Sequence, residues 1–182
     1  MLRLRSLLAL LPLATRSLRP LSSGGLLDKV GSSLLTQCGV RSGDRLLLCV
    51  SGGVDSMALL HLLQELNQSR RLALSLRVLH FNHRRRPEAE EEAVFVRGVA
   101  EEYGIPFLLR VLEQTHEVNF QAVAREWRQK ASIEALRDWQ AEEPKGAASH
   151  YVVTAHHMDD LVETLFMRLL RGAHISRLQG VM

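Results

Sequence analysis

The amino-acid sequence predicts an α/β fold with an open, mostly parallel sheet covered by helices on both faces. Short apolar runs of strand length alternate along the chain with longer amphipathic stretches of helical length. Runs that are apolar throughout are typical of parallel sheets, because both faces of such a sheet are buried. The expected strands lie near 45–50, 75–81, 106–112 and 150–154, and the expected helices near 26–38, 54–66, 87–103, 119–140 and 158–171.

The boundaries of these elements have local reasons. The apolar run 46–50 is the first strand, and the amphipathic stretch 57–66 continues the helix that follows it. The sequence from Tyr103 to Pro106 contains a glycine and then a proline, which together stop a helix and lead into the third strand. The segment 141–149, which holds another proline and glycine, predicts a flexible loop before the fourth strand.

The most informative motif connects the first strand to the next helix. Residues Ser51 to Ser56 read Ser-Gly-Gly-Val-Asp-Ser. Adjacent glycines allow backbone N–H groups to turn inward, and a helix N-terminus adds the positive end of its dipole, so a phosphate is the expected ligand. The loop is not a Walker A motif, because it lacks the phosphate-binding lysine. An ordinary strand-to-helix turn is the alternative interpretation.

A second polar segment, residues 154–164, follows the short apolar strand 151–153. In an open parallel sheet, loops at the carboxyl ends of the strands face one crevice, so this segment and the glycine loop can meet there. Asp160 and Glu163 are three residues apart and therefore share a helix face. Such carboxylates suit Mg²⁺, an ammonium group or a general base, although acids are also favoured in any first helical turn. A zinc site is less favoured, because neither cysteine lies nearby.

The motif Ser-Gly-Gly-x-Asp-Ser resembles the pyrophosphate-binding loop of the N-type ATP pyrophosphatases, or PP-loop enzymes. With the segment 154–164, the chain resembles the tRNA(Ile)-lysidine synthase family in particular. Residues 78–83, followed by acidic residues up to Glu92, resemble the family's second-strand motif. Residues 119–128 resemble its Gln-x-x-Ala-Arg-x-x-Arg helix, with the three polar side chains on one face.

The resemblance spans roughly Asp44 to Gly180 and has departures. Asn82 replaces an aspartate, and Arg84-Arg85 replace Gly-Leu after the second-strand histidine. Gln129 replaces a tyrosine, and His174 and Arg177 stand where the family has glycines. These departures bear on the shape of the substrate pocket more than on the nucleotide site.

The resemblance implies an adenine nucleotide alpha hydrolase-like, Rossmann-like fold and a two-step ligase reaction that uses ATP and Mg²⁺. The C2 oxygen of the wobble cytidine of tRNA(Ile), in a CAU anticodon, is adenylated, and free lysine then displaces AMP to give lysidine. The implied catalytic residues are Asp55, Asp160 and Glu163, and Asp55 is also the implied Mg²⁺ ligand. The implied nucleotide-binding residues are Ser51, Gly52, Gly53, Val54, Asp55, Ser56, His80 and Arg125.

Two other functions remain open from the sequence. One is a different adenylating enzyme of this fold, such as a tRNA thiolase or an amidotransferase-type synthetase. The other is a non-catalytic ATP-binding fragment. Cys38 and Cys49 form no C-x-x-C pair, which favours an amine acceptor over sulfur transfer.

The first 24 residues differ in composition from the rest of the chain. They contain arginines, serines and many leucines but no acidic residue, which predicts a mitochondrial or plastid transit peptide, with a secretory signal as the alternative. Residues 25–182 are then expected to form one PP-loop catalytic domain that is incomplete at its C-terminus. The apolar run within this segment, residues 7–13, is too short to span a bilayer, so no stable membrane insertion is expected.

The overall charge does not predict RNA binding. Four of the 23 Lys+Arg residues lie in the first 24 positions, which leaves 19 against 20 Asp+Glu. Local patches remain candidates for RNA phosphates, first 84–86 and then Arg168 with Arg171. A solvated basic face is the alternative for each patch. The sequence does not decide between a monomer and a homodimer.

Overall fold

The computed structural model describes residues 25–85, 87–113, 120–142 and 148–155. The chain divides into two compact units, residues 1–41 and 42–182. In the first unit, helix α1 spans Leu26–Ser32 and continues as a π-helical turn over Ser33–Gln37. These elements agree with the helix predicted at 26–38.

In the second unit, the described residues form four strands of one sheet. Its strands are β1 (Arg45–Cys49), β2 (Ser75–Asn82), β3 (Phe107–Val111) and β4 (His150–Thr154). The spatial order is β3-β2-β1-β4, and all three pairings are parallel. All four strands coincide with the predicted ones to within a residue or two, so the predicted α/β fold with a parallel sheet is confirmed.

Three long helices connect these strands. They are α2 (Val54–Ser69), α3 (Ala89–Glu102) and α4 (Phe120–Glu142). The predicted helix stop at 103–106 is confirmed, because Gly104 has φ +65° and its N–H donates to the Glu101 carbonyl, while Ile105 N–H donates to Ala100. The helix predicted at 158–171 lies outside the described residues.

Alternate residues of the strands pack against helices on opposite faces of the sheet. On one face, Leu47 and Leu79 form a buried cluster with Ala135 and Trp139 of α4. On the other face α3 packs against β2 and β3. The strand order explains this arrangement. The connections β1 to β2 and β2 to β3 move along the sheet in one direction, and the connection β3 to β4 moves in the other, so right-handed crossovers place α4 on the opposite face from α2 and α3.

None of the helices in the described part of the chain is both long and apolar enough to cross a membrane.

Candidate functional site

The glycine loop begins just after β1 ends, and the residue before the loop, Val50, is held by the neighbouring strand. Val50 N–H donates to the Leu79 carbonyl at 3.0 Å, and the Val50 carbonyl accepts a hydrogen bond of 2.8 Å from Nδ1 of His80. The imidazole is 2% exposed and stacks on Phe107 with ring centroids 6.3 Å apart. The structure therefore places His80 behind the loop as a support. Its predicted contact with a nucleotide stays a prediction.

The two serines of the motif close the loop on itself. Ser56, which is 7% exposed, accepts a hydrogen bond from Ser51 N–H at 3.2 Å and donates to the Gly53 carbonyl at 2.9 Å. The Ser51 and Ser56 hydroxyls lie 3.1 Å apart, and Gly53 N–H donates to Ser51 Oγ at 3.4 Å. These bonds fix the loop before any ligand arrives. Ser51 and Gly53 are exposed, so the loop presents backbone as well as hydroxyl groups to solvent.

Gly52 adopts a backbone conformation that side chains disfavour. Its φ is +89°, and a Cβ at this position would lie 3.4 Å from Cγ2 of Val96 in α3. The positive φ therefore requires a glycine here, whereas a Cβ would only come into van der Waals contact with Val96. This explains physically why the motif has glycine at this position.

Replacing Gly52 by alanine is expected to raise the KM for ATP about tenfold and to lower stability by about 1–2 kcal/mol, the cost of a side chain in the left-handed region. ATP kinetics and urea unfolding measure the two effects. Gly98→Ala is the matched control, because Gly98 lies within α3 and a Cβ there meets nothing within 4 Å. Equal effects of the two substitutions would contradict the role given to Gly52.

Helix α2 starts directly at the loop. Gly53 is its N-cap residue, with φ −72° and ψ 160°, and no side chain caps the helix. Val54 is 84% exposed and Asp55 is exposed in the first turn. The positive end of the dipole and uncapped N–H groups of the helix thus lie at the loop, as an anion-binding site requires.

Asp55 fits the predicted role of Mg²⁺ ligand. Mg²⁺ in nucleotide sites is usually held by one or two carboxylates together with substrate phosphates. Among the described residues no group of three or more His, Cys, Asp or Glu side chains could hold a metal ion. A single carboxylate beside a phosphate-binding loop is consistent with this shared kind of site.

Asn82 ends β2 and shapes the turn that follows. It is 1% exposed; its Oδ1 accepts a hydrogen bond of 2.8 Å from Arg84 N–H, and its Nδ2 donates to Glu90 Oε1 at 3.1 Å. Arg84 has φ +49°, which this turn imposes. An ionised aspartate could not donate to Glu90, so the hydrogen bond between positions 82 and 90 needs an amide at position 82 when position 90 carries a carboxylate.

Replacing Asn82 by aspartate is expected to destabilise the fold by about 1–3 kcal/mol at pH 7, because a buried carboxylate would then face Glu90 without a donor between them. Chemical denaturation measures the loss. In the double variant Asn82→Asp with Glu90→Gln the glutamine can supply the missing donor, and we expect most of the stability to return. No recovery in the double variant would show that the two side chains are not coupled.

The basic face of α4 reaches the same edge of the sheet mainly through Arg128. Arg125 and Gln121 are exposed, whereas Arg128 is half-buried. Burial, then the nearby charge of Arg125, lowers the pKa of Arg128. Burial, then Arg128, also lowers the pKa of His83, so this imidazole is neutral at pH 7. The sequence predicted that Gln121, Arg125 and Arg128 share one helix face, and it named Arg125 as the nucleotide-binding residue. The structure adds Arg128 as a second candidate.

Cys49 lies at the end of β1 under α4. Its Sγ is 3.6 Å from the Ser132 hydroxyl, which donates to the Arg128 carbonyl at 2.8 Å. Burial raises the pKa of the Cys49 thiol. The side chain is therefore protonated at neutral pH. Both cysteines of the chain are free.

The second polar segment begins level with the glycine loop, because Thr154 pairs with Cys49 in the sheet register. The predicted residues Asp160 and Glu163, together with Arg86, Arg168 and Arg171, lie outside the described residues. Their predicted roles therefore stay predictions.

The sequence is similar to a domain family and to several known proteins. A family model described as a PP-loop domain matches residues 27–182. The tRNA(Ile)-lysidine synthase of Streptococcus thermophilus (strain CNRZ 1066) is 36% identical over 137 residues, which cover 75% of this chain and 30% of that protein. The tRNA(Ile)-lysidine synthase of Petrotoga mobilis (strain DSM 10674 / SJ95) is 35% identical over 143 residues, or 76% of this chain and 43% of that protein.

Among solved structures, the U34-tRNA thiolase NcsA from Methanococcus maripaludis, with its 4Fe-4S cluster, has a TM-score of 0.61 and 18% sequence identity. The match covers 83% of this chain and 50% of that chain. At this identity the likeness concerns the fold alone. The chain spans less than half the length of either lysidine synthase named above.

Proposed function

Because the chain belongs to the PP-loop domain family, we propose that it activates a tRNA nucleotide with ATP and joins lysine to it. The product would be lysidine at the wobble cytidine of tRNA(Ile) with a CAU anticodon. The glycine loop Ser51–Ser56 carries this proposal, since its geometry at a helix N-terminus suits a pyrophosphate group. The lysidine synthases that match at 35–36% identity support the choice of substrate.

The loop residues have a defined task in this reaction. The backbone N–H groups of the loop and of the start of α2 bind the phosphates beyond the α position. The C2 oxygen of cytidine then attacks the α-phosphorus, and pyrophosphate leaves with the bonding electron pair. Mg²⁺ held by Asp55 and by phosphate oxygens would neutralise charge on the leaving pyrophosphate. Positive charge from Arg125 and Arg128 at the same edge favours the same anionic groups.

The second step needs an uncharged amine. The ε-amino group of lysine attacks the activated C2 carbon and AMP leaves with the C2 oxygen, so the ammonium group must first lose a proton. Asp160 and Glu163 are the proposed groups for binding lysine and accepting that proton. Lysine is proposed over a sulfur donor because the chain has only two cysteines, and the thiol of Cys49 is half-buried and protonated.

Nucleoside mass spectrometry tests the proposed reaction. The protein is incubated with a CAU-anticodon tRNA, ATP, Mg²⁺ and lysine, with the Asp55→Asn variant as control. We expect a lysine-modified cytidine with the wild type alone. A sulfur-containing nucleoside formed with a sulfur donor would indicate a thiolase, and ATP binding without any modified nucleoside would indicate a non-catalytic fragment.

Replacing Glu163 by glutamine is expected to raise the KM for lysine about tenfold or more while the KM for ATP changes less than about twofold, because a charged hydrogen bond to the ammonium group is lost. Steady-state kinetics with each substrate varied in turn measure the two constants. Glu134→Gln, an exposed change on α4, is the control. An equal rise in the KM for lysine and in the KM for ATP would mean that Glu163 binds the metal or stabilises the fold.

A location in mitochondria or plastids is proposed from residues 1–24 alone. Fusion of those residues to a fluorescent protein tests it by microscopy in cells that contain both organelles. Diffuse or secreted fluorescence would contradict the proposal.

A further inference from the structure

A row of aromatic rings leads from the core to the surface at the carboxyl end of β2. Phe81 packs against the buried cluster and lies 5.4 Å from Trp127 of α4, between ring centroids. Trp127 lies 5.4 Å from His83, and His83 lies 5.8 Å from Phe120, each pair meeting edge to face. The guanidinium of Arg85 lies over the Phe120 ring, 4.2 Å from its centroid. We call Arg85, Phe120, His83 and Trp127 the arginine–aromatic row.

Arg85 is the outermost member of this row. The residue is exposed, and the ring beneath it supports one face of its planar guanidinium. A guanidinium supported in this way can present its other face to a second planar group. Phe120 and Trp127 are each half-buried, so part of both rings also reaches solvent.

Three further arginines lie on the segments that carry the row, Arg84 next to His83 and both Arg125 and Arg128 near Trp127 on α4. Arg84 has a side chain that is 59% exposed, and its Nε is 3.9 Å from Glu90, which is too loose and exposed to neutralise it strongly. Arg125 is exposed on α4, and Arg128 lies one turn further on. The pKa of His83 is lowered, first by burial, which keeps this ring uncharged. Flat rings thus lie among cations that can bind a phosphate backbone.

We propose that the arginine–aromatic row binds an unpaired RNA base, which stacks on Arg85 while neighbouring phosphates contact the surrounding arginines. This assignment rests on the proposed tRNA function and names a contact surface within it. Unpaired bases in RNA loops are recognised by stacking on aromatic rings and on arginine planes, whereas helical RNA hides its bases. The surface therefore suits the unpaired anticodon loop better than a helical stem.

A fluorescent hairpin tests the proposal with the whole chain. The probe is an RNA stem-loop with a CAU anticodon loop that carries 2-aminopurine at one loop position at a time, because stacking quenches this base. Arg85→Lys keeps the positive charge and removes the planar face. We expect quenching at one loop position with the wild type, its loss in Arg85→Lys, and an affinity for the probe about tenfold weaker. Arg137→Lys, at another exposed arginine of α4, is the matched control and is expected to change neither.

A second variant protects the test against misfolding. Phe120→Leu keeps an apolar side chain but removes the ring beneath Arg85, and we expect it to lose quenching while its thermal unfolding stays close to the wild type. Unchanged quenching and affinity in Arg85→Lys would overturn the proposal. A rise in the KM for ATP with unchanged RNA affinity would also overturn it, since the stacked base would then be the adenine of ATP. Pyrophosphate release from ATP, measured on the same samples, reports separately on the proposed function.

Discussion

Replacing Asp55 by asparagine is expected to reduce pyrophosphate release from ATP by about 100-fold to 1,000-fold. The carboxylate lies in the first turn of α2, immediately after the glycine loop, and it is exposed. The substitution removes the carboxylate that we propose as a ligand for Mg²⁺, and it leaves the loop in place. Because the side chain is exposed, thermal unfolding of the variant is expected to stay close to that of the wild type. A coupled pyrophosphate assay and a thermal melt measure the two quantities.

Asp138→Asn is the matched control for this prediction. Asp138 lies on α4 with a 69% exposed side chain and a loose contact of 3.8 Å to Arg110. The control is expected to keep full pyrophosphate release. Normal release in Asp55→Asn would remove Asp55 from the metal site, and a lowered melting temperature would mean that the carboxylate stabilises the fold.

Replacing Trp139 by alanine is expected to lower the free energy of unfolding by about 3–5 kcal/mol. The indole is 2% exposed and packs with Leu47 and Leu79 between α4 and the sheet. Its ring also lies under the guanidinium of Arg77, 4.4 Å from the ring centroid. Truncation removes these contacts and leaves a cavity where α4 is attached to the sheet. Urea unfolding followed by circular dichroism measures the loss.

Ile133→Ala on the same helix is the control, because Ile133 is 42% exposed and its truncation opens no cavity. We expect that change to cost less than about 1 kcal/mol. If the two substitutions destabilised the protein equally, α4 would not be held by the buried cluster. Since α4 carries Arg125 and Arg128, Trp139→Ala is also expected to weaken any function that depends on those arginines.

The fold was predictable because its signals are local. The apolar run 46–50 gives β1, and the glycine of residues 103–106 forms the turn that ends α3. Parallel pairing followed from strands that are apolar on both faces. The resemblance to PP-loop proteins was confirmed by the family match over residues 27–182.

The side-chain arrangement of the site was not predictable in the same way, because it depends on residues distant in the chain. His80 was predicted as a nucleotide contact, and nothing local in the sequence indicated that its Nδ1 would also bond to the Val50 carbonyl, 30 residues earlier. The sequence showed that Asn82 departs from the family motif, but it did not show that this side chain would bond to Glu90. Phe120 and Trp127 are seven residues apart, a spacing that puts them on one helix face without showing that His83 would lie between them.

Part of the predicted site stays a prediction. Asp160 and Glu163 lie outside the described residues, and the described part of the site contains only Asp55 among the three proposed catalytic acids. The glycine loop, its helix and the arginines of α4 are the portion that the structure places. They support the proposed binding of ATP.

We propose that the glycine loop directs cleavage of ATP between its α and β phosphates. Phosphorus NMR of the products tests it most directly, with the protein, ATP, Mg²⁺, lysine and a CAU-anticodon tRNA in one sample. We predict AMP and pyrophosphate, formed only when the tRNA is present and absent with Asp55→Asn. ADP and inorganic phosphate, or no cleavage of bound ATP, would contradict it.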